Sequence, residues 1–348
     1  LVSADERGEA LDFVARLEAA GPTDINRALL EALDMVDPER PAILIFLTDG
    51  LPTMGETDVT RIIDNAGDAA PDNVRIFPFG VGYDVNTVLL DTIAQNHRGA
   101  SGYVRPEEAI DEKVSAFYAK VSTPLLSDIA IDWGGIEVDD VYPYPLPDLF
   151  AGTQLAVVGR YRDGGDTTIT LSGQVNGRLQ RFAYDGVAFE QEGGQDFIAR
   201  LWATRKIGTL LQQIRLHGED KELVDEIVDL SIRYGIITPY TSFLVEETEL
   251  ALSEAGRQGI SDEVAAAATA APAVGGEAVQ RSEVEKELSQ AHAPAAMAMP
   301  TQVVEMAGAT DQHGNLISPV KYVGDKTFIF SEGTWTDTTF DPDKMAPA

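Results

Sequence analysis

The chain has 348 residues, 44% hydrophobic and 24% charged, an ordinary globular balance with room for two or three cored domains. Its 57 acidic residues against 26 basic ones give a net charge of −31, which argues against nucleic acid or an anionic membrane surface as a partner. Cysteine is absent, which excludes disulfides, thiolate metal sites and thiol catalysis, and no apolar run approaches the roughly 20 residues of a membrane span. The chain opens on Leu1 with no visible leader, as a processed or trimmed product would.

In chain order, Ala10, Phe13, Val14 and Leu17 fall at helical spacing, and the spacing predicts an amphipathic helix over 5–20 that Gly21-Pro22 ends. Thr23 or Asp24 can cap a second helix carrying Ile25, Ala28, Leu29 and Ala32. Residues 42–47 are six apolar residues in a row, a strand buried on both faces, and it stops at Thr48-Asp49-Gly50. Ligands of open α/β sheets sit at the carboxyl ends of strands, so Asp49 is placed where a site is expected. A helix over Val59, Ile62, Ile63 and Ala66, a strand at 74–81, a helix at 85–95, a short strand at 101–104 and a closing helix with Ile110, Val114, Phe117 and Val121 complete a doubly wound α/β unit. Gly80-Val81-Gly82 lacks the third glycine and the acidic residue of a dinucleotide fingerprint.

Strand patterns then take over. Ile129, Ile131 and Trp133 alternate, 155–161 and 167–175 read as strands, and Asn176-Gly177 marks a hairpin into 179–184: an antiparallel β-sandwich. Asp139-Asp140 and Pro143, Pro145 and Pro147 form a connector. Residues 196–216 and 220–234 form a helical pair in which Ile207, Leu210, Leu211 and Ile214 line one face, with Trp202 in the core. A strand follows at 236–245. Residues 254–300 read as an Ala- and Pro-rich linker with one helix at 282–291, and 303–341 as a small β unit. Five segments result: 1–122, 123–195, 196–250, 251–302 and 303–348.

Two sets of residues carry a resemblance. Gly21-Pro22-Thr23-Asp24-Ile25 together with Leu47-Thr48-Asp49-Gly50 resembles the von Willebrand factor A (vWA) domain, where such loops share a divalent cation in a metal-ion-dependent adhesion site. Arg233 to Val245, Thr123 to Ile129 and Phe150 to Leu155 resemble, in the same order, the region after the vWA domain in inter-alpha-trypsin inhibitor heavy chains and their bacterial relatives. The resemblance covers about residues 5–247 and implies a partial vWA (Rossmann-like) sheet. The family's VIT domain and the segment with its D-x-S-x-S motif have no counterpart here.

The resemblance implies Thr23 and Asp49 as metal ligands. They supply the oxygens that Mg²⁺, Ca²⁺ or Mn²⁺ prefer, with weak binding expected unless the D-x-S-x-S segment is supplied. It implies a non-enzymatic adhesion or binding module, extracellular, at the cell surface or periplasmic. Its partners would be a protein ligand offering a carboxylate and the N-terminal part of the same protein. The sheet without its neighbouring strands should expose an apolar edge. A surface-layer subunit and a metal-assisted hydrolase using Asp49, with Asp24 or Glu56 as base, are the alternatives. The four histidines form no zinc motif. Hyaluronan linkage is not carried over, because Asp341-Pro342-Asp343-Lys344 lacks the family's His-Phe.

Overall fold

Residues of a strand alternate between two faces, and Val74–Val81 (β2) is apolar on both, so helices are required above and below it. The structure, a computed structural model, describes residues 4–18, 21–121, 124–175, 177–191, 193–218, 220–236, 261, 272–293, 320–323, 326–331 and 334–337. β2 is the centre of a three-stranded parallel sheet, between Ala42–Thr48 (β1) and Gly102–Val104 (β3). Val74 and Ile76 share one face with Ala42, Leu44 and Phe46. They pack under Ile25–Asp34 (α2), Val59–Ala69 (α3) and Thr87–Asn96 (α4), around buried Leu29, Ile62 and Leu89. Phe77 and Phe79 face the other way, against Ile110–Val121 (α5), whose Phe117 ring lies 5.0 and 4.9 Å from theirs. Asp24, Asp58 and Asn86 cap α2, α3 and α4, each accepting from the backbone N–H three residues on.

Two features of this unit follow from what is packed against it. β1 is an edge strand of the described sheet, and its Ile43 and Leu47 are exposed on the α5 side. The first helix forms, as Ala4–Ala15 (α1), but its apolar residues Phe13 and Val14, and Leu17 just beyond, are exposed. An amphipathic stripe is buried only where another element covers it, and no described element covers this one. Gly99, between α4 and β3, is tied to its place by close approach: a Cβ there would sit 1.7 Å from the Ile76 carbonyl oxygen. Gly99→Ala should therefore cost about 3 kcal/mol or more in urea unfolding, because β2 or the α4–β3 turn must move.

The antiparallel part forms two sheets. The first has the order β6-β4-β8-β9, from Pro124–Asp132 (β4), Leu149–Phe150 (β6), Gly165–Val175 (β8) and Arg178–Phe189 (β9). The second pairs Val138–Tyr142 (β5) with Val158–Tyr161 (β7). Val175 pairs with Arg178, so the β8–β9 hairpin turns at 176–177, where Gly177 has φ +73°; Asn176 lies outside the described residues. Arg75 joins this part to the parallel sheet. On the α5 face of β2, it donates from Nε to Asp148 and from Nη2 to Asp128, both at 2.8 Å. The buried cation is thus paired and its donors are used.

Asp196–His217 (α6) is the central helix, with every residue from 201 to 211 buried. Trp202, Ile207, Leu210, Leu211 and Ile214 pack on Val224, Ile227 and Leu230 of Lys221–Tyr234 (α7). The 254–300 stretch, read as linker, contains a longer helix than the spacing suggested, Gly276–Ser289 (α8), packed on α6 and α4. Its approach is held by Thr87 N–H to Ala273 O at 2.9 Å and Gly275 N–H to Tyr83 O at 3.0 Å. Val320–Val323 (β10), Lys326–Ser331 (β11) and Thr334–Asp337 (β12) form an antiparallel sheet. The strand expected at 236–245 falls, after residue 236, outside the described residues.

Candidate functional site

The two loops that carry Thr23 and Asp49 are stitched together through their backbones. Thr23 N–H donates to Thr53 Oγ1 at 2.9 Å, while Thr53 N–H and Met54 N–H donate to Thr23 O at 2.9 and 3.1 Å. Thr48, the buried last residue of β1, folds the turn around Asp49: its hydroxyl donates to Gly50 O at 3.0 Å. Asp49 is exposed at the carboxyl end of that strand. The Thr23 hydroxyl lies 3.4 Å from where a Cβ on Gly50 would sit, so it reaches the residue next to Asp49. A hydroxyl and a carboxylate on adjacent loops at a strand end are the hard oxygen donors that Mg²⁺ or Ca²⁺ takes, and these residues fit such an ion. Among the described residues no three His, Asp or Glu side chains group as a metal cage.

The neighbouring carboxylates are engaged locally. Asp24 accepts the Arg27 N–H at 3.0 Å and lies over Gly55, within 2.6 Å of a Cβ position there. Glu56 accepts the N–H groups of Thr57 and Asp58, both at 3.0 Å, and pairs with Arg61 at 3.5 Å. Both proposed bases of a hydrolase are therefore occupied in turning the chain. Thr53 is the residue the sequence did not single out. A loop threonine carries no periodic signal, and its role shows only once the two loops are side by side.

A second polar cluster lies away from this site, where α4, α6 and α8 meet. Asp91 accepts from Tyr103 Oη at 2.7 Å, from Arg215 Nη2 at 2.6 Å and from Ser282 Oγ at 2.6 Å, and Arg215 Nε donates to Glu285 at 2.6 Å. Burial pushes the Tyr103 hydroxyl well above its ordinary range, and Asp91 adds to this. Burial works against the Arg215 charge, yet Asp91 and Glu285 hold its guanidinium above the usual value. The Glu285 carboxyl is raised, burial outweighing Arg215. No sequence signal joins residues 91, 215 and 285, which are far apart in the chain.

Residues 1–102 match the family model for the von Willebrand factor type A domain. Over those residues the chain is similar to a vWA domain, and over most of its length it resembles the inter-alpha-trypsin inhibitor heavy chains. It is 30% identical over 272 residues to inter-alpha-trypsin inhibitor heavy chain 4 of Mus musculus, covering 72% of this chain and 29% of that protein. Against heavy chain H4 of Homo sapiens the identity is 29% over 268 residues, 71% of this chain and 29% of that one. The chain thus spans less than a third of the length of these relatives. A solved von Willebrand factor type A structure from Catenulispora acidiphila aligns with 76% of this chain and 74% of its own, at 17% identity and TM-score 0.43.

Proposed function

We propose that the chain is part of a non-enzymatic binding module in which Thr23 and Asp49 supply oxygen ligands to a divalent cation, Mg²⁺ before Ca²⁺ or Mn²⁺. When bound, the ion offers an open coordination position to a carboxylate of a partner protein. The observation that carries this is the stitched pair of loops, with the Thr23 hydroxyl beside Gly50 and Asp49 exposed at the end of β1. The match of residues 1–102 to the vWA domain supports it. The chain's own residues do the rest. Thr53 fixes the Thr23 backbone, Thr48 sets the Asp49 turn, and Asp49's exposure leaves the site open to a large ligand. A place outside the cell or at its surface suits such a module. No helix among the described residues is long and apolar enough to cross a membrane.

Titration calorimetry with Mg²⁺ tests this on the 348-residue chain, alone and with a peptide carrying D-x-S-x-S. Weak saturable binding that tightens with the peptide, and that falls about tenfold or more in Asp49→Ala, is expected. Identical isotherms for the wild type and Asp49→Ala would overturn the assignment.

A further inference from the structure

A cavity of about 320 Å³ opens where the parallel sheet, the proline-rich connector, α6 and α8 meet, remote in sequence from the Thr23 and Asp49 loops. Its two sides differ in chemistry. Phe77 of β2, Phe117 and Val121 of α5 and Phe150 of β6 form an apolar wall. The helical side brings Arg205 and Arg215 of α6 and Lys286 of α8 to the same space. In a chain of net charge −31, such a gathering of cations runs against the global balance.

The hydrogen bonding of these cations leaves charge over. Arg205 is 1% exposed, and its hydrogen bonds go to the carbonyl oxygens of Tyr142, Ala156 and Ala291, none to a carboxylate. Burial pushes the Arg205 guanidinium down, as expected of a cation lacking a counter-ion. Lys286 donates to the Ser101 carbonyl, and burial lowers its ammonium as well. Arg215 has spent Nε and Nη2 on Glu285 and Asp91, while its Nη1 is buried with no partner. Lys120 adds an exposed charge on the same cavity. The cavity's own carboxylates, Asp91 and Asp148, are held by Arg215 and Arg75. Taking Asp91, Glu285, Arg215 and Lys286 together as balanced, Arg205 and Lys120 remain in excess.

We propose that this cavity binds a small organic carboxylate, its anionic end on the Arg205, Arg215 and Lys286 side and its apolar body against Phe77, Phe117 and Phe150. Guanidinium and ammonium groups in a partly dry site bind a carboxylate by short charge-assisted hydrogen bonds. An apolar wall with a few convergent polar groups at this volume is the usual make-up of a small-ligand pocket. An inorganic anion would leave the aromatic wall unused.

Calorimetry of the 348-residue chain at pH 7 with phenylacetate, its neutral amide phenylacetamide, and inorganic phosphate tests this. Saturable phenylacetate binding is expected, with the amide and phosphate each at least tenfold weaker. Lys286→Gln should weaken phenylacetate about tenfold with an unchanged circular dichroism spectrum. Lys120→Gln, at an exposed position that leaves the fold intact, should weaken it about twofold and flatten its salt dependence. No saturation by phenylacetate would make the cations purely structural, and equal binding of the amide would make the cavity merely apolar. Tighter phosphate binding would assign a different anion. Wild-type affinity in both lysine variants would remove the cations from the site. Each of these results would overturn the proposal.

Discussion

Asp91→Ala is expected to lower stability by about 3–5 kcal/mol in urea unfolding, the largest single-site loss among the polar residues. Asp91 is buried and accepts from Tyr103, Arg215 and Ser282, which belong to β3, α6 and α8. Its removal leaves the Tyr103 hydroxyl with only a long bond to Thr87 O, at 3.4 Å, and strips the Ser282 hydroxyl and part of a buried guanidinium of their acceptor, each at a desolvation cost. Glu285, at 2% exposure, is then the only carboxylate among the described residues bonded to Arg215. Replacing the set together, as Asp91→Leu, Arg215→Met and Glu285→Leu, should recover part of the loss, because the paired carboxylates and guanidinium leave together while the Lys286 ammonium loses its balance. A triple variant no more stable than Asp91→Ala would show that the network contributes more than the repair of its own burial. Alkali should weaken the same cluster. The folded Tyr103 is held protonated above its ordinary value of 10.0, whereas the unfolded one ionises there. That contribution is present below pH 10 and lost as pH climbs beyond it.

Gly208→Val should detach α8 from α6. A Cβ at Gly208 would lie 2.3 Å from Ser289 N and 2.8 Å from Leu288 Cβ, both on the facing helix. The branched side chain adds bulk at the crossing, so a cost of about 3 kcal/mol is expected. Hydrogen exchange should show the loss concentrated in 276–289, with α2 and α3 protected as before. Uniform loss across the parallel sheet would mean that α8 is integral to the first core rather than docked on it.

The parallel sheet could be read from sequence because its strands are apolar on both faces and its helices carry Leu29, Ile62 and Leu89 at regular spacing. α6 and α7 were readable for the same reason. α8 was legible only in part, as a helix at 282–291, and its start at Gly276 was hidden. Its buried face includes Ser282, Glu285 and Ser289 beside Ala278 and Val279, and a polar face sunk into a polar site has no hydrophobic period. α1 shows the reverse, a clear stripe with nothing described upon it. At the candidate metal site, strand-end logic and the vWA resemblance brought out Asp49 and Thr23. Thr53 stayed unseen, because its contribution is a backbone-to-side-chain bond across 30 residues.

A crystal structure grown with Mn²⁺, with its anomalous scattering recorded, most directly tests whether Thr23 and Asp49 share a cation. The expected result is an anomalous peak at the carboxyl end of β1, about 2.1 Å from a Thr23 or Asp49 oxygen or one bridging water further away. A peak only elsewhere on the acidic surface, or Thr23 and Asp49 oxygens more than about 10 Å apart, beyond the span of one ion and a bridging water, would contradict it.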